Sequence, residues 1–378
     1  LGAGKASDLK WVEACARQVA EFSSGHTIVV EKSTLPVRTA EVIKSILKES
    51  KRKFDQDTNF KTFDVLSNPE FLSEGSAIKD LLNPDRVLIG GDNYDAIKSL
   101  SEIYKNWVSE EKILTTNIWS SELAKLTSNA FLAQRISSIN SISALCEATG
   151  ANVKEVARAI GSDSRIGSKF LNTGPGFGGS CFKKDILNLV YLSEFFGLPE
   201  VAAFWESVVN LNNWHQNRIS TLITKKLFGT LSNKKIVILG FAFKANTNDT
   251  RESAAIQICK NLLEEDAYLV IHDPKVNSKQ IEYDLEKKVS KSSLIENNDL
   301  NILKGGNWNF AKDLSGIFKN ADAVVILTEW DIYKTINWEE VSKFMRRPAW
   351  IFDTRSVLSN IEVKKSDLNF WQIGDGLG

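Results

Sequence analysis

The chain has 378 residues but only one methionine, three histidines and four cysteines, and each shortage excludes a class of protein. Cys15, Cys146, Cys181 and Cys259 lie far apart and form no Cys-x-x-Cys pair. That argues against a structural zinc site and against a disulfide scaffold, and fits a reducing, cytoplasmic compartment. His26, His215 and His272 are widely scattered, so no metal centre is expected, a serine triad has little to draw on, and each histidine reads as structural. An excess of charge is lacking too. Lysine plus arginine and aspartate plus glutamate both total 47, so no global field favours nucleic acid or an anionic membrane, and an anionic ligand must be met by a local cluster. The longest apolar runs, residues 236–243 and 323–327, fall far short of the ~20 residues a membrane helix needs. No charged region followed by an apolar one opens the chain. It starts at Leu1 in mid-pattern with Met345 as its only methionine, which reads as a fragment or a clipped reading frame.

What is present is an α/β alternation. Residues 8–24 read as a helix closed by Gly25, and 26–31 as a buried strand. A helix at 39–48, strands at 64–67 and 86–90, a helix at 94–107 and a strand at 112–115 continue it, as in the later half of a mostly parallel, doubly wound sheet. Residues 120–149 are helical almost without a break, with Leu123, Leu126, Ala130, Phe131, Ile136, Ile139, Ile142 and Leu145 on an apolar side and Gly150 as the stop. Such a helix is longer than one domain needs and should connect lobes, with its apolar face against the helices at 153–160 and 187–196 or against a second subunit. A helix at 200–227 follows. A second Rossmann-like unit opens at Lys235: strand 236–240, helix 252–264, strand 267–272, helix 311–319, strand 323–327, helix 338–344 and strand 350–353. The polar stretch 290–301 reads as an exposed connection. The expected fold class is α/β: a partial N-terminal Rossmann-like domain (1–117), a central helical domain with one long helix (118–230) and a C-terminal Rossmann-like domain (231–378).

The most informative segment is Gly174-Pro-Gly-Phe-Gly-Gly-Ser-Cys181-Phe-Lys-Lys-Asp185. Its glycines let the backbone approach a ligand, and a cysteine at the head of a helix sits where unpaired amides and the helix dipole favour a thiolate. Asp185 follows one helical turn later on the same face. A buried cysteine behind a structural turn is the bland alternative, and the glycines with Lys183-Lys184-Asp185 weigh against it. Lys125 and Asn129 also share a helix face, where an ammonium and an amide could stabilise an oxyanion; a solvated lysine explains Lys125 as well. Asn68-Pro-Glu70-Phe-Leu-Ser-Glu74-Gly puts two carboxylates just after a strand, the end where open α/β sheets bind ligands. Gly240-Phe-Ala-Phe-Lys244 lies where a dinucleotide site would show Gly-x-Gly-x-x-Gly, and lacks it. Lys244 and the helix start at Asp249-Thr-Arg251-Glu-Ser253 point instead to a phosphoryl ligand, with a purely structural domain as an equal alternative.

Glu31-Lys-Ser-Thr34-Leu-Pro-Val, Ser67-Asn-Pro-Glu70-Phe-Leu-Ser-Glu74-Gly, Ser121-Glu-Leu-Ala-Lys125-Leu-Thr-Ser-Asn129-Ala, the Gly174 to Asp185 loop and Gly240-Phe-Ala-Phe-Lys244 together resemble the UDP-glucose/GDP-mannose dehydrogenase family. They do so in family order and over nearly the whole chain. The run 135–150 is especially similar to the animal and plant members that oxidise UDP-glucose. The resemblance implies an NAD-dependent, two-step oxidation of UDP-glucose to UDP-glucuronate through a cysteine thiohemiacetal and thioester. It makes Cys181 the nucleophile, Lys125 and Asp185 the pair around the catalytic water, Glu70 a carboxylate of thioester hydrolysis, and Thr34 and Asn129 supporting hydrogen-bond partners. Substrate contacts carry over to Phe71, Leu72, Lys125, Asn129, the backbone from Asn172 through Gly174, Gly176, Phe177 and Gly178, and Phe243, Lys244 and Arg355. Arg165 matches an arginine that reaches a neighbouring subunit's substrate. Thr34, Glu74 and Arg251 match residues that face NAD. A homo-oligomer through the central helix, dimer or hexamer, is implied, with no nucleic-acid or membrane partner.

Family members begin with a strand and a Gly-x-Gly phosphate loop that would lie upstream of Leu1, so on the order of 60 or more residues are expected to be missing. Asn172 stands where animal members commonly carry a lysine. Two rival readings stay open: a non-catalytic remnant that binds a UDP-sugar or a sister subunit, and an enzyme for GDP-mannose or UDP-N-acetylmannosamine.

Overall fold

The computed structural model describes residues 8–54, 61–289 and 305–376; the stretch 290–301, expected to be an exposed connection, lies outside them. The chain divides into two compact units, Leu1–Phe131 with Lys184–Glu206, and Leu132–Lys183 with Ser207–Gly378.

The first unit holds α1 (Lys10–Phe22), β1 (His26–Glu31), α2 (Thr39–Phe54), β2 (Thr62–Ser67), α3 (Ala77–Leu82), β3 (Val87–Gly90), α4 (Tyr94–Tyr104) and β4 (Ile113–Thr116). Its sheet runs in the order β1-β2-β3-β4. β1 pairs with β2, and β3 with β4, in parallel; β2 and β3 meet antiparallel at a single pair, Ser67 and Gly90. The ladder stops there because Pro69 has no N–H to offer. Asn68 takes over with its side chain, donating Nδ2–H to Leu88 O at 2.7 Å. Strand alternation gives the sheet two cores: Val65 packs with Ala16, Ala20, Ala40, Ile43, Leu47 and Ile118, whereas its neighbour Leu66 packs with Val87, Ile89, Ala96, Tyr104 and Val108. Asn93 caps α4 by accepting from the amides of Asp95 and Ala96.

Three helices contribute to both units: α5 (Ile118–Thr149), α7 (Phe182–Phe195) and α8 (Pro199–Lys226), with the short α6 (Val153–Gly161) between the first two. α5 has 32 residues and so spans roughly 48 Å. Of its expected apolar side, Leu126, Ala130 and Ile139 are buried, while Leu123, Phe131 and Leu145 are 44–58% exposed. α7 starts at Phe182, directly after Cys181, in line with the expectation of a cysteine at the head of a helix.

The second unit carries β5 (Lys235–Leu239), α9 (Ala254–Glu264), β6 (Tyr268–His272), α10 (Ser278–Leu285), β7 (Asn307–Ala311), β8 (Ala323–Ile326), α11 (Asp331–Lys334), α12 (Trp338–Ser342), β9 (Trp350–Asp353), α13 (Asn360–Lys364) and β10 (Asn369–Gln372). Among the described residues its sheet has six strands, all parallel, in the order β10-β9-β8-β5-β6-β7. The order reverses between β5 and β8, the crevice where such sheets bind ligands. β5 is buried along its whole length, as a strand covered on both faces must be. The helix expected at 311–319 is absent: Trp308, fully buried, belongs to strand β7, and the residues after it form turns around Gly316, whose φ of 68° a helix does not accept. α10 and β10 were not anticipated. Among the described residues no helix is long and apolar enough to cross a membrane, and no group of three or more His, Cys, Asp or Glu side chains could hold a metal.

Candidate active site

The first unit gathers Glu70, Phe71, Lys125, Asn129 and Asp185. Residues 125 and 129 sit one turn apart on α5, so their side chains share a face. The Lys125 ammonium, in a residue only 4% exposed, lies 3.5 Å from Glu70 Oε1. Glu70 Oε2 turns back on its own loop and accepts from Leu72 N at 2.7 Å. The Phe71 ring takes two cations, the Arg86 guanidinium at 3.9 Å from its centroid and the Lys125 ammonium at 5.3 Å, an arrangement that orients the ring and draws positive charge to it. Arg86 also donates to Ser128 Oγ at 3.3 Å. Asn129 Nδ2 donates to Asp185 Oδ2 at 2.6 Å, and both residues are buried. Burial holds the Asp185 carboxyl above the usual carboxylate range, opposed by the Asn129 hydrogen bond and by the charges of Lys184 and Lys125. Thr34 is half-buried three residues past β1, and Glu74 is exposed.

The second unit holds the glycine loop. Asn212 of α8 accepts from Phe177 N at 2.9 Å and returns Nδ2–H to Phe177 O at 3.2 Å. The buried His215 ring meets Gly174 O at 2.9 Å, and Asn140 Oδ1 accepts from Gly174 N at 3.0 Å. Gly176 has φ of 137°, a region open to glycine. A Cβ at Gly178 would lie 2.5 Å from Glu252 O and 3.0 Å from the Phe243 Cβ, so only glycine fits where this loop crosses the turn after β5. Arg355 braces the same turn, donating Nη2–H to Phe243 O at 2.7 Å and Nε–H to Leu327 O at 2.8 Å, with Glu329 as its ion-pair partner at 3.2 Å. Cys181 is exposed and stands immediately before α7, with Ser180 Oγ 3.5 Å from its sulfur. Asp185 follows in the first turn of that helix. Lys183 pairs with Glu252 at 2.9 Å. Asn172 is exposed and Lys244 half-buried. Arg165 and Arg251 are exposed, each clasping an aspartate two residues before it, Asp163 and Asp249.

Asp273, at the end of β6, is a residue the sequence reading passed over. Its Oδ2 accepts from Phe241 N at 2.7 Å, Ala242 N at 3.0 Å and Trp330 Nε1 at 3.2 Å, and its Oδ1 from Lys275 N and Val276 N. The amides of the first βα turn are those that hold pyrophosphate in a dinucleotide fold. Here they are satisfied from within. Lys32, Asn68, Arg86 and Tyr104 were given no role from sequence; of these, Lys32, inside the Glu31-Lys-Ser-Thr34 run, and Asn68, inside an Asn-Pro-Glu loop after a strand, left a trace there.

Three family models match the chain: the NAD binding domain of the UDP-glucose/GDP-mannose dehydrogenase family over residues 2–108, its central domain over 119–214 and its UDP binding domain over 237–360. The UDP-glucose 6-dehydrogenase of Gallus gallus is 53% identical over 375 residues, 98% of this chain and 73% of that protein. The chain belongs to the UDP-glucose/GDP-mannose dehydrogenase family. UDP-glucose 6-dehydrogenase 4 of Arabidopsis thaliana is 48% identical over 382 residues, 100% of this chain and 78% of its own. Among solved structures, a UDP-glucose dehydrogenase from Pyrobaculum islandicum superposes with a TM-score of 0.81 at 29% identity, covering 99% of this chain and 77% of that one.

Like its family, the chain is an NAD-dependent dehydrogenase. The first unit's sheet fits such a cofactor. Glu31 and Ser67 are register partners at the carboxyl ends of β1 and β2, and Glu31 Oε1 and Ser67 Oγ are buried without a hydrogen-bond partner, where a polar ligand would supply one. Burial, then the neighbouring Glu122, push the Glu31 carboxyl up to about 8, against the pull of Lys32.

Proposed function

We propose that this dehydrogenase oxidises the C6 alcohol of UDP-glucose to the carboxylic acid, releasing UDP-glucuronate, with Cys181 as the nucleophile. The observation that carries the reading is the buried Lys125, Asn129 and Asp185 cluster beside Glu70, an ammonium, an amide and two carboxylates such as a two-stage carbonyl chemistry requires. The Gallus gallus relative, at 53% identity, supports the choice of sugar nucleotide.

Thr34, Glu74 and Arg251 would help to hold NAD, and two NAD, bound in turn, would each accept one of the two hydrides the carbon loses. Asp185 takes the alcohol proton through a water that Lys125 also holds. The Cys181 thiolate bonds to the aldehyde carbon, giving a thiohemiacetal whose oxyanion is stabilised by Lys125 and by the N–H that Asn129 does not spend on Asp185. At the oxidation level of a thioester, Glu70 accepts a proton from the attacking water, the C–S bond breaks, and the Cys181 thiolate is restored. Cleaving the thioester makes the oxidation effectively irreversible. The loop from Asn172 through Gly174, Gly176, Phe177 and Gly178, together with Phe71, Leu72, Phe243, Lys244 and Arg355, holds the UDP-sugar. The domains divide at 1–117, 118–230 and 231–378. Subunits associate through α5, whose exposed Leu123, Phe131 and Leu145 offer an apolar stripe, and Arg165 reaches the neighbouring substrate. The location is cytoplasmic.

The test presents UDP-glucose, GDP-mannose and UDP-N-acetylmannosamine separately with NAD and follows NADH and acid. UDP-glucose alone should turn over efficiently, with two NADH formed per acid. A preference for another sugar nucleotide, or one NADH per product, overturns the reading.

A further inference from the structure

We propose that Lys32 is a positioning residue for Glu70, locking the loop that presents this carboxylate without touching it. The inference rests on the role given above to Glu70 in cleaving the thioester. Lys32 lies just past β1, two residues before Thr34. Its ammonium donates to Asn68 Oδ1 at 2.9 Å, to Asn68 O at 3.3 Å and to Tyr104 OH at 3.0 Å. Tyr104 in turn donates to Asn68 Oδ1 at 2.7 Å. Asn68 is 1% exposed; its N–H goes to Glu31 O at 2.8 Å and its Nδ2–H to Leu88 O at 2.7 Å. Lys32 thus reaches both carbonyl oxygens of this residue, sharing Oδ1 with Tyr104.

Beyond Glu70 the loop is held by Phe71 against Arg86 and Lys125 and by the Ser73 N–H on Asp80 Oδ2 at 2.9 Å, and Asn68 is the anchor on the other side of Glu70. Pro69 fixes its own φ, so the direction in which Glu70 leaves follows from how Asn68 is held. Among the described residues the Glu70 carboxylate has one short hydrogen bond, from Leu72 N of the same loop, and Lys125 at 3.5 Å. Neither would restore the loop if Asn68 swung. A cation serves here better than a neutral donor, because bonds from a charged group are the stronger ones, and the ammonium also lies 5.8 Å from the Tyr104 ring centroid. Through Lys32 the exit of β1, with Thr34, and the exit of β2, with Glu70, are joined at Asn68.

The experiment compares the wild-type protein with Lys32→Met, Lys32→Arg, Tyr104→Phe and Glu70→Gln. Amide hydrogen exchange over residues 68–74 is read without ligand, and intact mass is read during turnover with NAD and UDP-glucose. Lys32→Met should speed exchange in that segment. It should also lower kcat by on the order of 10²-fold, as a small misplacement of a reacting group does, while leaving KM for UDP-glucose nearly unchanged, and it should accumulate the sugar-acid thioester on Cys181. Lys32→Arg should recover part of the rate. Unchanged exchange and no adduct in folded Lys32→Met, with adduct present in Glu70→Gln, overturns the role of Lys32 alone; no adduct in Glu70→Gln overturns the reading of Glu70 and this inference with it. Should Lys32→Met fail to fold, Tyr104→Phe, which removes one hydroxyl from the network, must show faster exchange and some adduct, and wild-type behaviour there overturns the inference.

Discussion

Asn129 and Asp185 are joined by a 2.6 Å hydrogen bond, Nδ2 to Oδ2, with both side chains almost wholly buried. Burial raises the Asp185 pKa and this bond lowers it, so Asn129 favours the ionised form of Asp185. Asn129→Ala should move the acid limb of the kcat/KM profile to higher pH, because the freed carboxyl binds its proton more tightly. The rate on the plateau should fall on the order of 10²-fold, as loss of an oxyanion donor does. A lower rate with the acid limb in place would leave Asn129 without a role in the ionisation of Asp185.

Cys181→Ser should block release of UDP-glucuronate, since a serine hydroxyl without an adjacent base is a poor nucleophile toward an aldehyde. Chromatography of the products tests this, and steady multiple turnover to the acid in the variant would remove Cys181 from the mechanism.

Glu31 should make the protein less stable as pH rises. Its folded pKa is pushed from 4.5 up to about 8, so the folded state binds the extra proton. Stability is full below 4.5 and is lost as pH climbs through about 8. Glu31→Gln, which has no proton to lose, should match wild type near pH 4 and gain on it up to pH 8, by a few kcal/mol at most. Denaturant unfolding at several pH values checks the sign, and a gap that narrows with pH would contradict it.

The short apolar runs of β1, β5, β6, β8 and β9, the α/β order around them and the stop at Gly150 made both sheets and the long helix visible in the sequence. The exceptions have local causes. β7 was hidden because Asn307-Trp-Asn-Phe-Ala mixes asparagine with aromatics, and its strand identity comes from pairing with β6, a tertiary contact with no local signature. The i, i+4 spacing exposed Lys125 with Asn129 and Cys181 with Asp185. Nothing in the sequence could bring Glu70 to Lys125, or Lys32 and Tyr104 to Asn68, since these partners lie 36 or more residues apart and meet only through the order of the strands.

Asp273 bears on which lobe takes which ligand. In the β5 turn the amides of Phe241 and Ala242, the usual pyrophosphate donors, both go to its carboxylate. A dinucleotide there would have to displace an internal, buried anion, whereas a ligand met by side chains would not. Lys244, four residues past Gly240, is the cation best placed by sequence for that purpose, and its ammonium lies 5.4 Å from the Phe243 ring centroid. Lys244→Ala should therefore raise KM for UDP-glucose by tenfold or more, roughly what one charge-assisted hydrogen bond is worth, and leave KM for NAD unchanged. Initial rates over a grid of both concentrations separate the two constants. If the NAD constant rises instead, the second Rossmann-like sheet is the cofactor lobe and the assignment of the two sheets is reversed.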